Sequence, residues 1–93
     1  MFVWDTRKAI ANFEKHGVSF EEAATIFADP DALDWRDLAH SREEVRYKRI
    51  GVSVAGNILL VVYTLRRGRN GQEAIRIISA RPASRKERKA YAG

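Results

Sequence analysis

Cysteine is absent from this 93-residue chain, and histidine occurs only twice, at His16 and His40. Without thiols there is no disulfide, no cysteine nucleophile and no cysteine-ligated zinc site. The two histidines stand too far apart in the chain for a metal-binding motif. No apolar run approaches the ~18 residues of a membrane span. The opening MFVWDTRKAI lacks the basic-then-apolar layout of a secretory signal, so a cytoplasmic protein without membrane association is expected. There is no G-x-S-x-G, no glycine-rich phosphate loop before a helix and no H-E-x-x-H. Internal repeats and low-complexity stretches are missing too. One domain spanning residues 1–93 is expected, with a core burying roughly 60–65% of the unfolded surface. It has no room for a separate cofactor domain, so neither cofactor nor metal is expected.

What is present is charge, unevenly placed. Residues 1–45 carry five basic and ten acidic side chains, a net of −5; residues 46–93 carry twelve basic and two acidic, a net of +10. Such asymmetry points to nucleic acid, phosphate or an acidic protein as partner.

Phe2-Val3-Trp4 has strand propensity. Asp5 offers an N-cap to a helix over 6–15, with Ala9, Ile10 and Phe13 on one face and Gly17 as a left-handed C-cap. Ser19 with Glu22 reads as a capping box, and Phe20, Ala23, Ala24 and Phe27 place a second helix to about Ala28, stopped by Asp29-Pro30-Asp31. The rest reads as sheet: a weak strand over 32–36, a polar loop over 37–44, and a strand over 45–54 with Ile50, Val52 and Val54 on one face. A central strand over 58–65 follows, then an Arg/Gly loop over 66–72 and a strand over 74–80 ended by Pro82. Ser84 with Glu87 is a second capping box, opening a short basic helix through Tyr91. Helices segregated from a strand meander define an α+β fold: two N-terminal helices, three or four antiparallel meander strands plus a short N-terminal strand, and a short C-terminal helix.

Adjacent Glu43 and Glu44 point to opposite faces of a strand and make a poor acid–base pair. The remaining chemistry is arginine, lysine and one loop histidine. That set suits RNA cleavage by transesterification, in which a 2′-hydroxyl attacks phosphorus and fixed guanidinium groups neutralise the charge that builds on the phosphoryl oxygens. His40 is the available general acid or base. His16, in the last turn of the first helix, has a sufficient structural role there. Arg81 precedes the basic helix, so a phosphate there would meet Arg81, Arg85 and the helix N-terminus. In a regular strand Arg76 and Arg81 have opposite parity. If residues 66 and 73 paired, Arg81 would fall opposite about residue 58, roughly 27 Å along from Arg66, unless a bulge or an offset pairing intervened.

Phe2-Val3-Trp4-Asp5, Lys15-His16-Gly17-Val18-Ser19-Phe20-Glu21-Glu22-Ala23, Phe27 with Asp29-Pro30, His40-Ser41, Glu44 with Arg46, Thr64-Leu65-Arg66 and Ile75-Arg76-Ile77-Ile78-Ser79-Ala80-Arg81 occur in this order. Over nearly its full length the chain resembles the BrnT family of toxins from bacterial type II toxin–antitoxin modules. The resemblance implies a fold similar to RelE-type ribonuclease toxins and metal-independent RNA cleavage that arrests translation. It implies a BrnA-like antitoxin with a ribbon-helix-helix region, and a complex that represses its own promoter, touching operator DNA only through the antitoxin. Arg66 and Arg81 are the implied catalytic positions, with His40 beside them; Arg46, Lys48, Arg76 and Arg85 are expected to bind substrate. Trp35, Tyr47 and, less readily, Trp4 are the aromatics expected to face a partner. The other reading of the same basic surface is a non-catalytic nucleic-acid- or partner-binding module acting as corepressor.

Overall fold

The computed structural model describes residues 1–40 and 44–93. Along the chain run β1 (Phe2–Val3), α1 (Thr6–His16), α2 (Phe20–Thr25, extended by a 3-10 turn at Ile26–Ala28), β2 (Leu33–Arg36), a 3-10 turn at Leu38–His40, β3 (Tyr47–Val52), β4 (Ile58–Arg67), β5 (Glu73–Pro82) and α3 (Arg85–Ala92). The strands form one sheet in the order β1-β5-β4-β3-β2. Strands β2 to β5 make an antiparallel meander, while β1 lies parallel to the outer edge of β5. This is the α+β arrangement expected.

The caps explain the helix limits. The Asp5 carboxylate accepts from the Lys8 amide, and Gly17 closes α1 at φ 71°, where only glycine is unstrained. Ser19 accepts from the Glu22 amide, but the reciprocal half of the expected box is missing. The Glu22 carboxylate instead accepts from Ser53 Oγ at 2.6 Å and Asn57 Nδ2 at 2.8 Å, pinning α2 to the β3–β4 turn. That turn begins at Ser53, so β3 stops at Val52, and Val54 is 84% exposed rather than facing the core. Ser84 and Glu87 do form both halves of their box.

Helices α1 and α2 cover one face of the sheet, where Val18, Phe20, Ala23 and Ile26 pack on Leu59, Val61, Ile77 and Ala80. Gly51 lies so close to this layer that a Cβ there would sit 3.1 Å from that of Ile26. Beyond the short β1, the edge of β5 is completed by Asn12: its side chain accepts from the Ala80 amide at 3.0 Å and donates to the Ala80 and Val18 carbonyls. A polar residue in the middle of α1 thereby satisfies backbone groups that would otherwise be buried unpaired.

Two expectations about β4 and β5 are corrected. Arg66 and Arg67 belong to β4, and the loop shrinks to the residues between Arg67 and Glu73, which pair across the strands. The register is also offset: Arg66 pairs with Ala74, Arg81 with Leu60, and Ile78 is a bulged residue, because Val62 faces Ser79 and Tyr63 faces Ile77. One extra residue reverses side-chain parity downstream. It lets Ile77 and Ala80 both enter the helical core, and it turns Arg76, Ser79 and Arg81 to the same, opposite face.

Candidate nucleic-acid interface

Cross-strand partners share a face. Following the pairs, the face away from α1 and α2 carries Trp35 and Leu33 from β2, Lys48 and Ile50 from β3, Leu60, Val62, Thr64 and Arg66 from β4, and Arg76, Ser79 and Arg81 from β5. One end of this face is covered by α3, beneath which Ile50 and Leu60 are buried. The other end is open, and the substrate-binding and catalytic candidates divide between the two.

At the open end, Arg66 and Arg76 are diagonal neighbours across β4 and β5, since Arg66 faces Ala74 and Arg76 faces Thr64. Such a diagonal places the two backbones about 7–8 Å apart. The return limb of the loop that joins β2 to β3 lies against them. Thr64 Oγ1 donates to the Val45 carbonyl at 2.7 Å, and Arg66 Nη2 stands 3.4 Å from the Glu44 carboxylate. The carbonyl of Arg46 accepts from the Asp37 amide at 2.8 Å, bringing Arg46 and the Leu38–His40 turn to the same end. His40 Nδ1 lies 3.1 Å from an Asp37 carboxylate oxygen, and its ring is largely exposed. A carboxylate on one ring nitrogen leaves Nε2 directed outward, the arrangement that orients an imidazole for proton transfer. Lys48 lies one register step further along β3, beside Val62. Among the described residues, neither Arg76 nor Lys48 makes an ion pair. Ser41, expected in the motif with His40, and Glu43 lie outside the described residues.

At the covered end Arg81 is engaged differently. Its Nη1 and Nη2 bind the two Glu87 oxygens at 2.7 and 2.8 Å. Arg81 holds the Glu87 carboxyl down at about 2, aided by the Ser84 amide, and the same bidentate contact pushes Arg81 upward. The structure therefore does not bring Arg81 to Arg66: six residues of β4 separate their register positions, roughly 20 Å. Arg85 opens α3 at this same far end. The C-terminal part of α3 is tied down by Tyr91, whose hydroxyl donates to Asp29 at 2.6 Å; that bond raises Tyr91 to about 12 and lowers Asp29, which also accepts from the Val52 and Asp31 amides.

The positive half of the chain is not all on this face. Arg49 faces the helical layer, stacked 5.0 Å over the Phe27 ring and bound to Asp34 at 2.9 Å. Tyr63 donates to the same Asp34 at 2.8 Å, and burial together with that carboxylate raises its phenol. Tyr47 stacks on Tyr63 there, and Trp4 packs edge-on against Phe20, so of the three aromatics expected to face a partner, Trp35 alone stands on the cationic face, 41% exposed. Reading sequence missed Asn12, Glu22 and Thr64 as positioning residues.

Among the described residues there is no cluster of three metal-ligating side chains, and no helix long and apolar enough to cross a membrane. A helical layer on one side of a sheet and arginines gathered on the other define a small α+β protein with a cationic sheet face. The family described as "Ribonuclease toxin, BrnT, of type II toxin-antitoxin system" matches residues 4–87, and the chain belongs to it. The chain is thus the ribonuclease toxin of a type II system, which implies an antitoxin partner. It is similar to the crystal structure of the Brucella abortus ribonuclease toxin BrnT, with 26% identity and a TM-score of 0.66 over 91% of this chain and 99% of that one. No curated protein matches the chain.

Proposed function

We propose that the open end of the cationic face is a metal-independent endoribonuclease site in which Arg66 and Arg76 clamp the scissile phosphate. The observation that carries this reading is their diagonal placement on one face, with Lys48 on the same face. The 2′-hydroxyl of the substrate attacks the adjacent phosphorus, forming a 2′,3′-cyclic phosphate and expelling the 5′-oxygen. The two guanidinium groups neutralise the equatorial oxygens as charge builds, the class of contribution worth about 10²–10³ in rate for each well-placed donor. His40, oriented by Asp37, is the proton-transfer group for the hydroxyl or the leaving oxygen. Arg46 and Lys48 hold the flanking backbone, and Arg85 forms an outlying cationic position reached by longer RNA.

RNA cleavage of this kind arrests translation, as in the RelE-type toxins the family resembles. The partner in this reading is a BrnA-like ribbon-helix-helix antitoxin, through which the complex reaches and represses its operator. The test is incubation of purified protein with a 5′-labelled RNA in excess EDTA. Products ending in a 2′,3′-cyclic phosphate are expected from the wild type and not from Arg66→Ala. Cleavage abolished by EDTA, or equal cleavage by both proteins, overturns the mechanism. Tight RNA binding with no cleavage by the wild type supports the non-catalytic corepressor instead.

A further inference from the structure

The helical layer carries an apolar feature that RNA binding does not use. Ile10 and Phe13, one turn apart on the outer side of α1, are 57% and 55% exposed. They form one wall of a groove of about 430 Å³ whose floor and other wall come from Trp4, Phe20 and the start of α2. Trp4 is held there by its edge-on contact with Phe20 at 5.9 Å. The charged groups lining it are Glu14 and Glu21, both acidic, in a chain whose net charge is +5. Two large apolar side chains kept in water on one helix face cost stability that packing against a neighbour would recover.

We infer that this groove is the docking site for an amphipathic helix of the antitoxin, one presenting apolar side chains a turn apart and lysine or arginine toward Glu14 and Glu21. Helix-in-groove recognition needs an apolar slot, and charges at its rim set the orientation. The charge pattern selects a basic segment over an acidic one. Size selects a short segment over a second copy of this chain: a standard interface takes about 20–30 residues a side, far more than line this groove. A two-fold contact centred here would also set Glu14 and Glu21 of one copy against those of the other. The inference rests on the antitoxin partner that family membership implies, not on the RNA chemistry proposed above. It separates anchoring from inhibition: the anchor lies on the helical layer, across the sheet from the arginines.

The experiment measures affinity of the toxin for its antitoxin by calorimetry, with RNA cleavage by free toxin and sedimentation of free toxin as parallel readouts. In Ile10→Asp/Phe13→Asp the fold should persist, because both side chains are more than half exposed. Affinity is expected to fall by about 100-fold or more. Glu14→Lys/Glu21→Lys, which leaves the apolar wall intact, is expected to weaken binding about tenfold at low salt and less at high salt. Cleavage by both variants should match the wild type. Unchanged affinity in the Asp variant overturns the inference. So does a change confined to self-association of the free toxin, which would make the groove a contact between copies, and so does a loss of cleavage without loss of antitoxin affinity. Because binding is read directly, the outcome stands whether or not the cleavage mechanism survives its own test.

Discussion

The two ends of the cationic face use the same residue type for opposite purposes. At one end Arg81 meets Glu87 through two short parallel bonds, and Glu87 is itself held by the Ser84 amide. At the other, Arg66 stands 3.4 Å from Glu44 through a single contact, and Arg76 makes no ion pair among the described residues. A bidentate pair satisfies the guanidinium fork and leaves little for a phosphate; a loose single contact leaves most of its donors available. Arginine count alone thus says little about a phosphate site. What the carboxylates do nearby decides which arginines are catalytic candidates and which are struts.

The sharpest way to break this contrast is to remove each arginine in turn. Arg66→Ala and Arg76→Ala should each lower single-turnover RNA cleavage by about 10²–10³, with melting temperature changed little because both side chains contribute few contacts to the core. Arg66→Lys should recover only a fraction, since an ammonium cannot span two phosphoryl oxygens. Arg81→Ala should show the reverse pattern. Losing a charge-assisted bidentate contact at the sheet–α3 junction should cost about 1–2 kcal/mol in denaturant unfolding, discounted for partial exposure. Its cleavage should fall less than tenfold. If Arg81→Ala instead abolished cleavage at unchanged stability, the division between the ends would fail, and Glu87 would have to yield Arg81 to substrate.

Much of the fold was legible because local signals agreed with one another: Asp5, Ser19, Gly17 and Ser84 sit at the helix ends they announce. The α+β order followed from apolar periodicity switching from helical to alternating spacing. The register of β4 and β5 was not legible, because a bulge at Ile78 has no local signature; it is chosen by the fit of both Ile77 and Ala80 into the helical core. That single residue moves Arg81 onto the face of Arg76 and invalidates parity counted from sequence. The role of Glu22 was equally hidden, since its partners Ser53 and Asn57 lie some thirty residues away in sequence. The candidate site itself was half legible: its residue types could be read, but pairing Arg66 with Arg76 required coordinates.

Acid titration makes the smallest but cleanest distinction between the ends. Glu87 is held at about 2, against an ordinary value of 4.5, by the Arg81 fork and the Ser84 amide. A carboxyl whose folded value is depressed binds fewer protons folded than unfolded, so its contribution to stability is complete above about 4.5 and is lost as pH falls toward 2. Glu87→Gln should therefore flatten part of the acid limb of the stability curve, while costing stability at neutral pH. The measurement is unfolding free energy against pH for the wild type and Glu87→Gln. An acid limb identical in wild type and Glu87→Gln would show that the Arg81 contact is not the strut assigned to it. Arg81 would then be as free for phosphate as Arg66, and the two ends would be chemically alike.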